Sequence, residues 1–212
     1  MLIDPASAGV VLGGTVLATL ARSGWHNGRT TLRQLGMLLR PRFDLARQRA
    51  ELAAQVAAMQ HDGVIRAHPK PVSDAEFADA TAALVRHRST AALIDEHRRH
   101  AAAREAARAT TVEVLGEAGE LAPVLGLAGT LLGLSQLPVT GLASDGAVMA
   151  SVSMAVGTTF HGLVAAHLLF LPLAGAIERR GRREEADREA LAQWLVRQLG
   201  PACPRKLAEL AA

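Results

Sequence analysis

Leu121–Ser144, LAPVLGLAGTLLGLSQLPVTGLAS, and Ala147–Ile177, AVMASVSMAVGTTFHGLVAAHLLFLPLAGAI, contain no Asp, Glu, Lys or Arg, and only Asp145 and Gly146 part them. A helix needs about 20 predominantly apolar residues to cross the hydrocarbon core of a bilayer, so each stretch is long enough to span. Pro138, Gly141, Ser144, Asp145 and Gly146 read as a polar turn over 139–146. The 212-residue chain is 50% hydrophobic with a mean hydropathy of +0.18, although it holds 23 Lys+Arg and 20 Asp+Glu. Its charges are therefore segregated from its apolar runs. Aromatics make up only 3% and Tyr is absent, which is not how a soluble core of this apolar content is normally built. Cys203 is the single cysteine, so an internal disulfide and a cysteine-rich zinc module are both excluded.

A third apolar stretch lies at the N-terminus. Ala6–Ala21, ASAGVVLGGTVLATLA, is free of charge and stops at Arg22. The early Asp4 and the absence of a basic leader argue against a secretory signal. All Lys and Arg fall in two blocks, Arg22–Arg108 and Arg179–Lys206. By the positive-inside rule both blocks are cytoplasmic, which places the N-terminus and the 139–146 turn outside and gives three crossings. The expectation is an all-α membrane protein with three transmembrane helices, a large helical cytoplasmic loop and a helical cytoplasmic tail. Its parts are 1–21 as the first membrane helix, 22–117 as the loop, 118–177 as a membrane hairpin and 178–212 as an amphipathic tail. The basic pI of about 9.9 then reflects the membrane, not nucleic acid.

The loop is rich in helix formers. Thr30 to about Gln60 reads as one or two helices stopping at His61-Asp62-Gly63, with Pro69 and Pro71 in the connection. Ser73-Asp74-Ala75-Glu76 has capping-box spacing, predicting a long helix that carries Phe77, Leu84, Val85 and Ile94 near one face. In the tail, Leu191, Trp194, Leu195 and Leu199 share a helical face that packs on other helices. Trp25 is placed to anchor at the membrane interface.

No ionisable carboxylate or basic residue lies in the two long spans, so this chain by itself lacks the usual intramembrane proton relay; His161 and His167 project about 120° apart and form no single polar stripe. The spans do offer small residues and hydroxyls. Gly126/Thr130 and Gly129/Gly133 are small-xxx-small pairs that permit close helix approach, and Gly162 continues the theme in the third span. Counting outward from the turn, Thr130 and Thr159 sit within about 5 Å of one level. They can line one site, or simply bond back to their own helices. Pro123 and Pro172 both fall toward the cytoplasmic ends of their helices, where a lost backbone bond allows a kink. No phosphate loop of the Gly-Lys-Ser/Thr type, no HExxH and no GxSxG is present, so no enzyme, cofactor or metal site is expected.

The order and spacing of Leu121–Leu134, of Val156–Ala166 and of Pro172 resemble the two pore helices of the MotA/TolQ/ExbB ion-channel family, and Ile3–Thr15 resembles a membrane helix of its MotA-type branch. The resemblance implies a homopentamer in the bacterial inner membrane around a MotB-like single-span partner that supplies an intramembrane aspartate. It also implies Thr130 and Thr159 in the ion pathway, and Pro123 and Pro172 coupling ion flow to movement of the cytoplasmic domain. The driven ion is a proton or sodium. A rotor contact through the loop would follow, but the charge positions around Gly63 hold Gln60 and His68, with Asp62 and Arg66 the nearby charges. A counterpart of the branch's first membrane helix is missing, so the chain reads as a shortened homologue or one whose translation begins upstream of Met1. The rival expectations are an ExbB/TolQ-like energiser of envelope processes and a non-conducting oligomeric scaffold.

Overall fold

The computed structural model describes residues 5–62, 72–135 and 145–203, and the described residues are helical with no strand. In chain order they form α1 (Pro5–Leu38), α2 (Leu45–Asp62), α3 (Ala75–His87), α4 (Thr90–Ser135), α5 (Asp145–Val164), a π-helical turn (Ala165–Phe170), α6 (Leu171–Leu199) and a short 3-10 turn (Gly200–Ala202). Two helical stretches are long and apolar enough to cross a membrane, one within Thr90–Ser135 and one within Val148–Leu199. The third expected crossing corresponds to the first part of α1. Of the expected outer turn, Asp145 and Gly146 open α5 and the rest lies outside the described residues.

The chain divides into two units. One comprises Met1–Arg40 and Ala107–Arg179, the other Pro41–Ala106 and Arg180–Ala212. These limits differ from the expected 21/117/177 because α1, α4 and α6 do not stop where the apolar sequence stops. Charged residues just beyond the apolar stretches still pair inside the first unit, Arg22 with Glu117 at 3.3 Å and Arg108 with Glu178 at 3.2 Å.

The first unit is built inside out. Among the described residues, the exposed large hydrophobics, from Val10, Leu17 and Trp25 through Leu131 and Met149 to Leu168 and Leu171, all belong to it. Its interior is rich in small and hydroxyl side chains beside a few large ones: Ser7, Val11, Thr15 and Thr19 form a buried stripe at four-residue spacing on α1. Ala118, Ala122, Ala165 and Ala166 join Leu115, Phe170, Ala174 and Ile177 in a core cluster. An apolar exterior around a small-residue interior is what a lipid environment favours, since lipid supplies no hydrophobic drive between helices and close packing must do so. Helix α1 breaks at Gly24 (φ 83°, ψ 157°), a conformation an L side chain rarely adopts.

The second unit packs as a soluble domain does. Leu52, Val56 and Met59 of α2, Phe77, Ala80 and Leu84 of α3, Leu93 of α4, and Leu191, Ala192, Leu195 and Leu199 of α6 form its core. The tail periodicity read from sequence therefore lands in this core, with Trp194 partly buried beside it and under Arg49. The Asp44 side chain accepts from the Arg47 amide (3.1 Å) and starts α2.

The capping box differs from expectation. Asp74, not Ser73, caps α3 by accepting from the Glu76 amide (3.0 Å), while the Ser73 hydroxyl donates to Glu51 (2.6 Å). Nor is the helix long. It ends at Arg88 in the left-handed conformation (φ 52°), and Ser89, accepting from the Ala91 amide, starts α4. Ile94 thus belongs to α4.

Glu76 turns inward because buried cations hold it. Its Oε1 meets His97 Nδ1 at 2.5 Å, and its Oε2 accepts from Arg104 (2.5 Å) and Arg188 (2.6 Å). Arg188 also grips Asp74 (2.9 Å) and Glu184 (3.0 Å) and lies over the Phe43 ring at 4.3 Å. Arg104 is bidentate on Glu185 at 2.9 and 3.0 Å. Burial pushes the Glu76 carboxyl up, but the hydrogen bonds from His97 and Arg104 and the charges of Arg104 and Arg188 outweigh it and hold it at about 2. This stabilisation is complete above the usual glutamate value near 4.5 and is lost as pH falls from there toward 2. Glu76→Gln leaves three cationic groups without their shared counter-charge, so we expect a loss of about 3–5 kcal/mol, read by urea unfolding of the detergent-solubilised chain followed by circular dichroism.

Candidate ion-pathway hairpin

Helices α4 and α5 pack through their glycines. A Cβ at Gly162 would stand 2.6 Å from the Ala122 carbonyl oxygen and 3.2 Å from Gly126 Cα. One at Gly126 would stand 2.9 Å from the Thr158 carbonyl oxygen, and one at Gly129 would fall 2.8 Å from the Thr158 side chain. Gly133 is looser, 3.2 Å from the Ser151 carbonyl oxygen and 3.3 Å from the Ala155 amide. Gly126, Gly129, Gly133 and Gly162 therefore lie together in one seam, and Thr158, fully buried, is the side chain that fills the Gly129 notch.

The seam sets the register between the two helices. With Gly126 against Thr158–Gly162 and Gly133 against Ser151–Ala155, Thr130 stands opposite about residue 156. That is about three residues, or roughly 4.5 Å of rise, from the level of Thr159. Both threonines are half-buried beside the seam. The Thr130 hydroxyl donates to the Leu127 carbonyl at 2.6 Å, a bond back to its own helix, whereas Thr159 makes only a long contact of 3.5 Å to the Ala155 carbonyl. Thr159 is thus the less committed of the two.

Helix α1 of this unit brings a partner to His161 that the sequence reading did not single out. Ser7 of α1 lies against Gly157, and its Oγ is 3.3 Å from His161 Nδ1. His161 Nδ1 is also 2.6 Å from the Gly157 carbonyl oxygen, which can only accept, so Nδ1 carries the proton. His161 is thereby occupied within the bundle, and His167 is exposed.

One of the two prolines adjoins an irregular turn. Pro172 has no amide hydrogen for the Leu168 carbonyl, and its ring crowds that oxygen. The backbone responds just upstream with the π-helical turn Ala165–Phe170, closed by the Leu171 amide donating to the Ala166 carbonyl. Pro123 lies inside α4, which continues through it. Four residues before Pro123, Gly119 receives Leu171, whose Cδ2 would stand 3.1 Å from a Cβ there. Of the loop residues read from sequence, Gln60 donates to the Gln198 carbonyl (2.9 Å). Gly63, Arg66 and His68 lie outside the described residues.

The seam yields a graded expectation. Gly162→Ala meets backbone and should cost more than Gly133→Ala, whose neighbours need give only a few tenths of an ångström. We expect about 1–3 kcal/mol for the former and less for the latter, measured as shifts in the unfolding midpoint in mixed micelles.

Two solved structures share this fold. The MotAB structure of C. jejuni matches with a TM-score of 0.81 and 17% identity, covering 96% of this chain and 80% of that one. The flagellar MotAB stator complex of Bacillus subtilis matches with a TM-score of 0.79 and 20% identity, covering 99% and 84%. No curated protein matches this chain in sequence. The family model described as the MotA/TolQ/ExbB proton channel family matches residues 70–190, which take in α3, α4, α5, the π-helical turn and most of α6. The chain, with its apolar helices and glycine-sealed hairpin, belongs to the MotA/TolQ/ExbB proton channel family.

Proposed function

We propose that this chain is the ring-forming channel subunit of an ion-driven stator of the MotA type, coupling proton or sodium flow to movement of its polar unit. The observation that carries the reading is the α4–α5 hairpin, sealed by glycines, bearing hydroxyls at similar depth and free of any carboxylate over Leu121–Ser144 and Ala147–Ile177. A channel built on such a face needs its titratable group from elsewhere, and a MotB-like single-span partner with an intramembrane aspartate supplies it. Thr130 and Thr159 then flank the ion's path, and Gly126, Gly129, Gly133 and Gly162 keep the hairpin rigid. Pro123 and Pro172, with the π-helical turn, are the points where the hairpin gives. Five copies around the partner fit the exposed apolar surface of the first unit, part of which faces lipid.

The location is the bacterial inner membrane. The Lys/Arg blocks put the polar unit and the tail on the cytoplasmic side, with α1 as the first of three crossings. Each charge falling through 100 mV supplies about 2.3 kcal/mol. A rotor contact through the polar unit belongs to the same reading.

The test is co-expression with the partner and measurement of ion flux into cells or vesicles. Conduction is expected, with Thr159→Val lowering it at least tenfold. Pro172→Ala restores the amide donor and is expected to keep assembly while uncoupling flux from work. Absence of any current with an unchanged Thr159→Val phenotype would leave a scaffold. Flux that requires a TonB- or TolA-type neighbour in place of a peptidoglycan-anchored one would make the chain an ExbB/TolQ-like energiser.

A further inference from the structure

We infer that His97 is a proton-operated clasp within the polar unit: doubly protonated, it ties α3 to α6 through Glu76 and Glu189, and on deprotonation it releases Glu189 and loosens α6.

The argument begins with valence. His97 is 4% exposed, and each ring nitrogen faces a carboxylate, Nδ1 at 2.5 Å from Glu76 Oε1 and Nε2 at 2.8 Å from Glu189 Oε2. A carboxylate accepts only, and a neutral imidazole has a single N–H. Both bonds therefore exist together only in the imidazolium, whereas the neutral ring turns a lone pair toward one carboxylate. Which bond breaks follows from the surroundings. Glu76, on α3, is 3% exposed and shares Arg104 of α4 and Arg188 of α6, so its charge is fixed. Glu189, on α6, is half-exposed, with Gln193 as its other hydrogen-bond partner and Arg98 of α4 nearby. The proton left on the ring stays on Nδ1 facing the buried charge, and the Nε2 bond to Glu189 is the one lost. A cavity of about 340 Å³ lined by Ile94, His97, Arg98, Glu189, Val196 and Arg197 adjoins the ring and gives the proton a route.

The hydrogen bond to Glu76, opposed by burial and reinforced by Glu189, raises the imidazole above its ordinary value of 6.5. The clasp is closed below that value and opens as pH rises through the raised one. With the orientation proposed above, the pH sensed is cytoplasmic; the experiment reads the clasp in the isolated protein, so a failed orientation would leave its result unchanged.

The test is hydrogen exchange of the detergent-solubilised full chain, corrected for intrinsic rates, at pH 6 to 9.5. Protection of amides in Leu191–Leu199 is expected to fall at least tenfold across a single titration, while that of α2 changes less. His97→Gln should abolish the pH step. Glu189→Gln, at a half-exposed position that leaves the core intact, should flatten the step, because its amide can accept from the protonated ring and donate to the neutral one, and it serves if His97→Gln does not fold. Uniform protection across the range in the wild type, or a step that Glu189→Gln leaves in place, would overturn the clasp.

Discussion

Hydrogen atoms, not side chains, separate α4 from α5. Where Gly126 and Gly162 meet, two backbones run at a spacing that excludes even a methyl group, since a Cβ on Gly162 would collide with the Ala122 carbonyl. In a bilayer no hydrophobic effect presses helices together, so this close approach and the dispersion contacts it permits are what holds them. The remaining features of the apolar unit hang on that spacing. It sets which residues of α5 stand opposite which residues of α4, it buries Thr158 against Gly129, and it leaves Thr130 and Thr159 beside the seam at similar depth. Large apolar side chains are thereby displaced to the outside, where Leu131, Met149 and Leu168 are exposed.

The polar unit obeys another rule. There the large side chains point inward, and water provides the drive. A chain of charges runs from buried Glu76 to partly exposed Glu184 and Glu185, through Arg188, Asp74 and Arg104. Such a network gives orientation more than net stability, because each bidentate arginine accepts only a narrow geometry at its carboxylate.

The long apolar runs and the Lys/Arg blocks were legible because they depend on composition over tens of residues. So was the tail's Leu191, Leu195, Leu199 face, which keeps its helical period into the core. The start of α3 was misread for a specific reason: Ser-x-x-Glu spacing signals a local reciprocal cap, but Glu76 finds stronger partners 21, 28 and 112 residues away in Arg and His side chains. No local pattern announces a contact at such separations. The break at Arg88 carries no sequence signal, because an arginine takes a conformation for which glycine is the usual residue. On α1, nothing in the sequence sets Ser7 and Thr19 apart within the apolar run. They are its buried side, which appears only once the neighbour is known to be α5.

The wide turn at Ala165–Phe170 also decides which way the residues after it point. Each residue in an α-helix advances the azimuth by about 100°, and a π turn accommodates one surplus residue per loop of chain. Ala174 and Ile177 consequently reach the same buried side as Ala165 and Ala166. A polypeptide one residue shorter within this turn, wound as ordinary α-helix, would present that side unchanged. The irregularity is in effect an extra amino acid absorbed without altering the helix's phase.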